Sequence, residues 1–147
     1  GGAGCGSIAL EWLLAGGSGG AVAIERDPAR AAMIARNAAA LGVPRLAIVA
    51  GEAPQALAAL ARPDAIFVGG GIADPGLLPA LWPVLPPGGR LVANIVSIEG
   101  ERVVLDWQAR CGGTLTRIAV SRAEPLGTRH AWRPLLAVTQ FAAIKPG

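Results

Sequence analysis

The sequence contains no apolar run of the length that crosses a bilayer, only two cysteines and a single histidine. A transmembrane helix needs about 20 consecutive apolar residues, so we predict no membrane contact and a cytoplasmic location. Two cysteines are too few for a disulfide framework, which also favours a reducing compartment. Because no cysteines and histidines stand at the spacing of metal ligands, the sequence predicts no metal site.

Charge is scarce as well, at 16% of residues against 52% that are hydrophobic. The formal net charge is +3, and all but one of the 13 basic residues are arginine. The chain has neither a basic run nor the interleaving of basic and aromatic residues that is typical of nucleic-acid-binding surfaces. We therefore expect no nucleic-acid partner. A length of 147 residues fits one domain over residues 1–147.

Strand-like and helix-like segments alternate along the chain and are separated by short breaks. Asp27-Pro28 starts a helix, with an N-cap acid followed by proline in the first turn, and Gly42 ends that helix. Asp74-Pro75 repeats the same start signal. The patterns predict strands at 22–25, 46–50, 64–68 and 90–96, and helices at 28–41, 54–60, 77–81 and 101–110.

This alternation predicts an α/β fold of the Rossmann-like type, with a mostly parallel sheet and helices on both faces. The last two strand-like segments, 114–122 and 135–144, have no helix between them, so we expect an antiparallel C-terminal hairpin. A sheet of this kind needs a strand before the loop that begins at Gly1. We therefore expect the first strand to lie upstream, so that the domain is truncated at its N-terminus.

A glycine-rich loop opens the chain and leads into the helix-like segment 7–14, and the next apolar run ends in the acid Glu25. Glycines let a ligand approach the backbone, and free N–H groups at a helix start face its anionic end. An acid at the following strand end accepts hydrogen bonds from ribose hydroxyls. The pairing predicts an adenosine-containing cofactor, against the alternative of a glycine-rich turn without a ligand.

The spacing of the loop glycines fits two different cofactors. Gly2, Gly4 and Gly6 read as G-x-G-x-G, which is typical of S-adenosylmethionine enzymes. Gly4, Gly6 and Ala9 also fit G-x-G-x-x-A, a variant of the dinucleotide motif. Glu25 suits both cofactors, so these residues leave the choice open.

Further candidate residues stand where predicted strands end, which is where an open sheet binds its ligand. Glu52 and Ala53 could hold an adenine ring, although Glu52 could instead cap the following helix. The run 69–71 is all glycine and lets backbone approach a ligand closely, unless it is a flexible turn. Asn94 could contact a substrate or cap the next element.

The segment 122–134, between the last two predicted strands, contains three arginines, the only histidine and Trp132. An arginine fork suits carboxylates, and an indole offers a flat face to a large ring. The alternative is a solvated loop whose Trp132 covers the hairpin. The sequence shows no Ser/His/Asp set that indicates nucleophilic catalysis. Methyl transfer from a sulfonium would not need one, because its rate depends mainly on positioning, and we assign no catalytic residue.

Taken in order, these motifs resemble the C-terminal methyltransferase module of the decarboxylating precorrin-6Y methyltransferases, a family of cobalamin synthesis. The resemblance covers the whole chain and is carried by segments 2–9, 24–28, 51–54, 63–71 and 85–94. It implies S-adenosylmethionine-dependent methylation of a meso carbon of a precorrin tetrapyrrole, with decarboxylation of a ring acetate. It also implies an N-terminal methyltransferase domain on the same full-length chain and a homo-oligomer, for which a tetramer is expected.

The resemblance further implies roles for individual residues. The cofactor, S-adenosylmethionine with its product S-adenosylhomocysteine, is expected to contact Gly2, Ala3, Gly4, Cys5, Gly6, Glu25, Arg26, Glu52, Ala53, Gly69 and Gly70. The tetrapyrrole polycarboxylate is expected to contact Gly71, Asn94, Arg129, His130, Trp132 and Arg133.

Two alternative functions stay open beside this resemblance. One is a class I methyltransferase that acts on a ring nitrogen of RNA or on another small molecule. Methylation of exocyclic amines is disfavoured, because Gly69–Gly71 stand where such enzymes carry an Asn/Asp-Pro-Pro-aromatic motif. The other alternative is a dinucleotide-binding or purely structural domain.

Overall fold

The structure is a computed structural model that describes residues 6–16, 19–43, 45–53 and 55–147. The predicted cofactor residues Gly2, Ala3, Gly4 and Cys5 lie outside this part of the chain. The described α-helices are α1 (Ser7–Leu14), α2 (Pro28–Ala40), α3 (Leu77–Leu81) and α4 (Ile98–Cys111). Short 3-10 helices cover Gln55–Ala59 and Trp82–Val84. The strands are β1 (Ala21–Glu25), β2 (Leu46–Ala50), β3 (Ala65–Val68), β4 (Arg90–Ile95), β5 (Thr114–Ile118), β6 (Ser121–Leu126), β7 (Arg129–Pro134) and β8 (Val138–Ile144).

The described strands pair into three groups. Strand β1 pairs with β2 in parallel, and a larger sheet has the order β3-β4-β8-β5. In that sheet β3 and β4 are parallel, whereas β8 is antiparallel to both β4 and β5. Strands β6 and β7 form a separate antiparallel pair. The predicted antiparallel partnership of the last two segments is therefore confirmed for β5 and β8.

The start of α2 follows the predicted capping chemistry. Asp27 is the N-cap, and its Oδ1 accepts hydrogen bonds from the backbone N–H groups of Ala29 at 2.9 Å and Arg30 at 3.2 Å. The hydrogen bond from the Arg30 N–H, and to a smaller extent the one from the Ala29 N–H, holds the pKa of Asp27 below its usual value of 3.8. The helix then ends at Ala40, one residue before the predicted end.

Two apolar cores hold the described elements together. The smaller one lies between α1, α2 and the β1-β2 pair, with Ile34 fully buried among Leu10, Leu13 and Ala23. The larger one lies on one face of the four-stranded sheet and includes the fully buried Phe141. The partly buried side chain of Ala53, which follows β2, packs against this larger core. The carboxyl end of β2 therefore lies next to the larger sheet.

Three local predictions are wrong in detail. The segment 122–134, predicted as a loop, forms most of the β6–β7 hairpin. The N-cap of α3 is Gly76 and not Asp74, because the Asp74 Oδ1 instead accepts the N–H of Gly76 at 2.8 Å within the preceding turn. Helix α4 begins at Ile98, since Ser97 is its N-cap and accepts the N–H of Gly100 at 3.2 Å.

We expect Gly100→Ala to lower the free energy of unfolding by about 1–2 kcal/mol. An added Cβ would lie 2.6 Å from Cγ2 of Ile72 and 2.7 Å from Cγ2 of Ile95. Overpacking of this kind costs about 1–3 kcal/mol, while alanine gains up to about 1 kcal/mol in helix propensity. Urea unfolding measures the difference, with Ala109→Gly on the exposed side of α4 as the propensity control. A stabilising Gly100→Ala would contradict the packing described here.

Candidate functional site

The carboxyl ends of three strands lie at one edge of the larger sheet. Strands β3 and β4 are parallel, and β5 runs in the direction of β4 because both are antiparallel to β8. Asn94 lies near the end of β4, and Gly69–Gly71 follow β3 directly. Ligands of open α/β sheets bind beyond this edge. The β6–β7 hairpin, which follows β5 after two residues, starts from the same edge.

Glu25 is the last residue of β1 and is 1% exposed. A carboxylate can be buried at acceptable cost only when it is hydrogen-bonded, and Oε1 of Glu25 accepts the backbone N–H of Asp27 at 3.0 Å. The backbone oxygen of Glu25 also accepts a hydrogen bond, at 3.2 Å, from the N–H of Gly51, the residue that follows β2. The acid predicted to bind ribose is thus fixed in orientation at a strand end.

Arg26 and Glu52 lie next to each other at the ends of β1 and β2. Nη1 of Arg26 donates to Oε1 of Glu52 at 3.1 Å, and their side chains are 70% and 61% exposed. Exposed ion pairs of this kind contribute about 0–1 kcal/mol to stability. The structure therefore brings together two residues of the predicted cofactor set without giving either a strong role in folding.

Gly6 is the described end of the glycine-rich loop and the N-cap of α1. Its φ of +81° is in the left-handed region, which favours glycine. A Cβ at Gly6 would lie only 2.8 Å from Cγ2 of Ile34 on α2. Two independent constraints, the backbone angle and the contact with α2, therefore require glycine where the loop enters the helix.

Asn94 is held by a residue that the sequence pattern did not single out. Gln140 lies directly opposite Asn94 on β8, and its Nε2 donates to Oδ1 of Asn94 at 3.0 Å. Both side chains are half-buried. A signal was available, because Gln140 is a polar residue inside the otherwise mainly apolar segment 138–144. With its oxygen engaged in this way, Asn94 has an amide N–H group left to donate elsewhere.

The glycine run after β3 is a turn beside Asn94. Gly71 has a φ of +78°, and its backbone oxygen accepts the N–H of Asp74 at 3.0 Å. Gly69 follows Val68, which is in register with Ala93 on β4. The predicted neighbours Gly69–Gly71 and Asn94 are therefore adjacent at the same edge of the sheet.

The β6–β7 hairpin divides the predicted substrate residues between two faces. Residues paired across a hairpin share a face, and successive residues alternate between the faces. The tryptophan face consists of Ser121, Ala123, Pro125, His130, Trp132 and Pro134, whereas the arginine face consists of Arg122, Glu124, Leu126, Arg129, Ala131 and Arg133. The four predicted residues on this hairpin therefore do not form one cluster. Trp132 is 75% exposed.

The arginine face has an unbalanced positive charge. Arg122 lies directly opposite Arg133 across the hairpin, a like-charge arrangement that is unfavourable in a sheet. Nε of Arg133 is paired with Oε2 of Glu124 at 3.0 Å, and Arg129 adds a third arginine near the turn. With three arginines and one glutamate, this face has a net charge of +2, so it suits an anionic ligand.

Comparison with known proteins identifies the family. The chain matches the precorrin methyltransferase domain over residues 1–145, and it belongs to that family. It is 51% identical over 144 residues to a precorrin-6Y C(5,15)-methyltransferase (decarboxylating) of Sinorhizobium sp, covering 98% of this chain and 35% of the relative. It is 34% identical over 151 residues to the cobalt-precorrin-6B C(15)-methyltransferase (decarboxylating) of Salmonella typhimurium, covering 98% of this chain and 76% of the relative.

A solved structure supports the same family assignment. The C-terminal domain of precorrin-6Y C5,15-methyltransferase from Rhodobacter capsulatus superposes with a TM-score of 0.90 at 41% identity, covering 98% of this chain and 77% of that domain. The predicted fold class, a Rossmann-like class I methyltransferase with an antiparallel C-terminal pair, is thereby confirmed. The chain spans about a third of the length of the Sinorhizobium relative.

The described residues contain neither a membrane-spanning helix nor a metal-binding cluster of acidic, cysteine or histidine side chains. No described helix combines the length and apolar character needed to cross a membrane. Across the same ranges, no group of three or more histidine, cysteine, aspartate or glutamate side chains could hold a metal ion.

Proposed function

We propose that this chain is the module that methylates a meso carbon of a precorrin from S-adenosylmethionine, coupled to decarboxylation of a ring acetate. The observation that carries the proposal is the 98% coverage of the chain by decarboxylating precorrin methyltransferases. It is supported by a buried acid at a strand end and a basic hairpin face at a sheet edge. When bound, S-adenosylmethionine supplies an electrophilic methyl group on a sulfonium.

The residues at the ends of β1 and β2 fit the adenosine part of this cofactor. Glu25 accepts hydrogen bonds from the ribose hydroxyls in our proposal, and its burial supports this because a fixed acceptor loses little freedom on binding. Arg26 and Glu52 lie at the rim, where Glu52 can accept from the adenine amino group. Ala53, packed against the larger core, forms one wall of the ring site.

The residues at the edge of the larger sheet fit the substrate. Gly69–Gly71 let the ring approach the backbone beside the reacting carbon, and Asn94, oriented by Gln140, donates a hydrogen bond to the ring or its carboxylates. The arginine face binds carboxylates of the tetrapyrrole. Decarboxylation breaks the bond to the carboxyl carbon, which leaves as carbon dioxide, and the electron pair of that bond passes into the conjugated ring while the protein desolvates the carboxylate. The proposal assigns no side chain as proton donor and includes no metal ion.

We also propose a cellular location, a companion domain and an assembly for this module. By analogy with the longer relatives, it acts in the cytoplasm on the same full-length chain as an N-terminal methyltransferase domain. The module forms a homo-oligomer, with a tetramer as the expected assembly.

The proposal is tested by titration calorimetry of S-adenosylhomocysteine and, separately, of a reduced nicotinamide dinucleotide into the folded protein. We expect S-adenosylhomocysteine to bind at least tenfold more tightly, about 1.4 kcal/mol. Incubation with S-adenosylmethionine and the precorrin substrate should then give a product that has gained a methyl group and lost a carboxyl group by mass. Tighter binding of the dinucleotide would replace the methyltransferase assignment by the dinucleotide-binding one.

A further inference from the structure

Two large apolar side chains are exposed at the sheet edge where the substrate is proposed to bind. Val96 follows β4 directly and is 59% exposed, and Ile98, the first residue of α4, is 75% exposed. Both come just after Asn94, at the carboxyl end of β4. Single exposed apolar residues are common on protein surfaces, so the pair indicates a binding surface only if it has no role in folding.

The start of α4 does not use these two side chains. A helix is often stabilised by contact between an apolar residue before the N-cap and an apolar residue at the fourth helical position. Because Ser97 is the N-cap, these positions are Val96 and Glu101. The Glu101 carboxylate instead pairs with Arg117 at 2.9 Å and accepts the hydroxyl of Thr139 at 2.6 Å. The exposed apolar pair therefore stabilises neither the cap nor the first turn.

The turn that presents the pair is held firmly against the core. Gly100 is buried in this turn, and a Cβ added there would lie 2.6 Å from Cγ2 of Ile72 and 2.7 Å from Cγ2 of Ile95. Ile72 and Ile95 belong to the larger core and are 4% and 2% exposed. Since Ile72 directly follows the run Gly69–Gly71, the first turn of α4 packs against the segment that leaves the glycine run.

A fixed polar group lies next to this apolar pair. Asn94 precedes Val96 by two residues, and its Oδ1 accepts the Nε2 group of Gln140 at 3.0 Å. The amide N–H groups of Asn94 can therefore donate to a ligand from a defined position. Mainly apolar surface beside a few oriented polar groups is the usual composition of a small-molecule site.

Charge restricts which part of the tetrapyrrole this surface can bind. Glu99 follows Ile98 and is exposed, so a carboxylate of the substrate would be repelled here. The negative charge of Glu101 is already paired with Arg117. A tetrapyrrole polycarboxylate has a flat, conjugated ring and carries its charges around the rim. The ring itself, and not the carboxylates, is the part that fits the two apolar side chains.

We propose that Val96 and Ile98 form an apolar shelf that contacts the flat ring of the tetrapyrrole and fixes its position beside Asn94. This inference rests on the proposed function and deepens it, because it names the residues that bind the ring and not its carboxylates. The shelf contributes through burial of apolar surface, which is favourable wherever ring and side chains leave water together.

The test compares two exposed isoleucines at opposite edges of the same sheet. Ile98→Thr alters the shelf, whereas Ile144→Thr alters the last residue of β8, which is 57% exposed and lies opposite Arg90 at the start of β4. Threonine keeps the branch at Cβ and replaces a methyl group by a hydroxyl group. Binding of uroporphyrin, a conjugated tetrapyrrole polycarboxylate, is followed by fluorescence anisotropy of the full natural protein saturated with S-adenosylhomocysteine.

We expect Val96→Thr combined with Ile98→Thr to weaken uroporphyrin binding at least tenfold, about 1.4 kcal/mol, and Ile98→Thr alone to weaken it several-fold. Ile144→Thr should change this affinity less than twofold. All variants should bind S-adenosylhomocysteine as the wild type does, which also shows that they are folded.

Three results would contradict parts of this account, and they differ from one another. Unchanged uroporphyrin affinity in the double variant, or an equal loss in Ile144→Thr, would overturn the shelf. Wild-type protein that binds S-adenosylhomocysteine but not uroporphyrin would also overturn it, while the cofactor assignment would stand. Folded wild-type protein that does not bind S-adenosylhomocysteine would overturn the proposed function and the shelf with it.

Discussion

Glu25→Ala is expected to weaken binding of S-adenosylhomocysteine by at least tenfold, about 1.4 kcal/mol. The substitution removes a carboxylate that is 1% exposed and whose orientation is fixed by the N–H of Asp27 at 3.0 Å. A preorganised acceptor for the ribose hydroxyls is lost, and the ligand gains no replacement. Titration calorimetry of the wild-type and variant proteins measures the change in affinity directly.

A second ligand separates direct contact from an indirect effect on the turn. Because Glu25 also accepts the N–H of Asp27, alanine leaves that donor unpaired, which costs about 1–3 kcal/mol of stability. A 2′-deoxyribose analogue of the ligand lacks one hydroxyl that Glu25 is proposed to bind. If the contact is direct, Glu25→Ala should weaken the analogue less than the natural ligand, giving a nonzero coupling energy.

The matched control is an exposed acid outside the proposed site. Glu99 lies in the first turn of α4 and is exposed, so Glu99→Ala should leave ligand affinity unchanged. An equal loss of affinity in both variants, or an equal effect of Glu25→Ala on both ligands, would contradict the assignment of Glu25 to the ribose.

Local signals were sufficient to predict most of the elements that position the site. Asp27 followed by Pro28 defines the start of α2 by capping and by the fixed φ of proline, and the structure confirms it. The apolar run that ends in Glu25 corresponds to β1. These features depend on neighbouring residues alone, which is why a sequence pattern is enough to locate them.

The β6–β7 hairpin was missed because its strands lack the pattern of burial on one side. A strand is recognised when apolar residues alternate with polar ones over a buried face, and here both faces are exposed and each strand contains a proline. A turn signal was nevertheless present, since Gly127-Thr128 connects the strands as a two-residue loop and Gly127 has a φ of +59°. Glycine at the first loop position is typical of such hairpins.

Contacts distant in sequence could not be predicted from local patterns. The hydrogen bond between Gln140 and Asn94 depends on β8 lying beside β4, although 46 positions separate the two residues. The ion pair of Arg26 with Glu52 likewise follows from the pairing of β1 with β2. The roles of these residues toward cofactor and substrate stay predictions.

Gly6→Ala is expected to lower the free energy of unfolding by about 2–5 kcal/mol, a large part of the total stability of a domain. The left-handed conformation, at a φ of +81°, costs a residue with a Cβ about 1–2 kcal/mol. The new Cβ would also lie 2.8 Å from Cγ2 of Ile34, which is fully buried, and such overpacking adds about 1–3 kcal/mol. Chemical denaturation followed by far-ultraviolet circular dichroism measures the total.

Gly42→Ala isolates the backbone contribution. Gly42 has a φ of +66°, and an added Cβ there would have no neighbour within 4 Å. Its substitution should therefore cost only the conformational term of about 1–2 kcal/mol. If Gly6→Ala lowers the free energy of unfolding no more than Gly42→Ala does, that result would contradict the close packing of the loop end against α2.

A double-mutant cycle with Ile34→Ala identifies the source of the remaining cost. Ile34→Ala removes Cγ2 and Cγ1, the two nearest atoms, and leaves the Ile34 Cβ position 3.4 Å from the new Cβ. Gly6→Ala should then cost less in the Ile34→Ala background by most of the overpacking term, because the contact has been removed while the φ penalty remains. If the cost of Gly6→Ala is unchanged in that background, the backbone angle alone requires glycine at this position. A reduced cost would show that packing between α1 and α2 fixes the end of the glycine-rich loop before any cofactor binds.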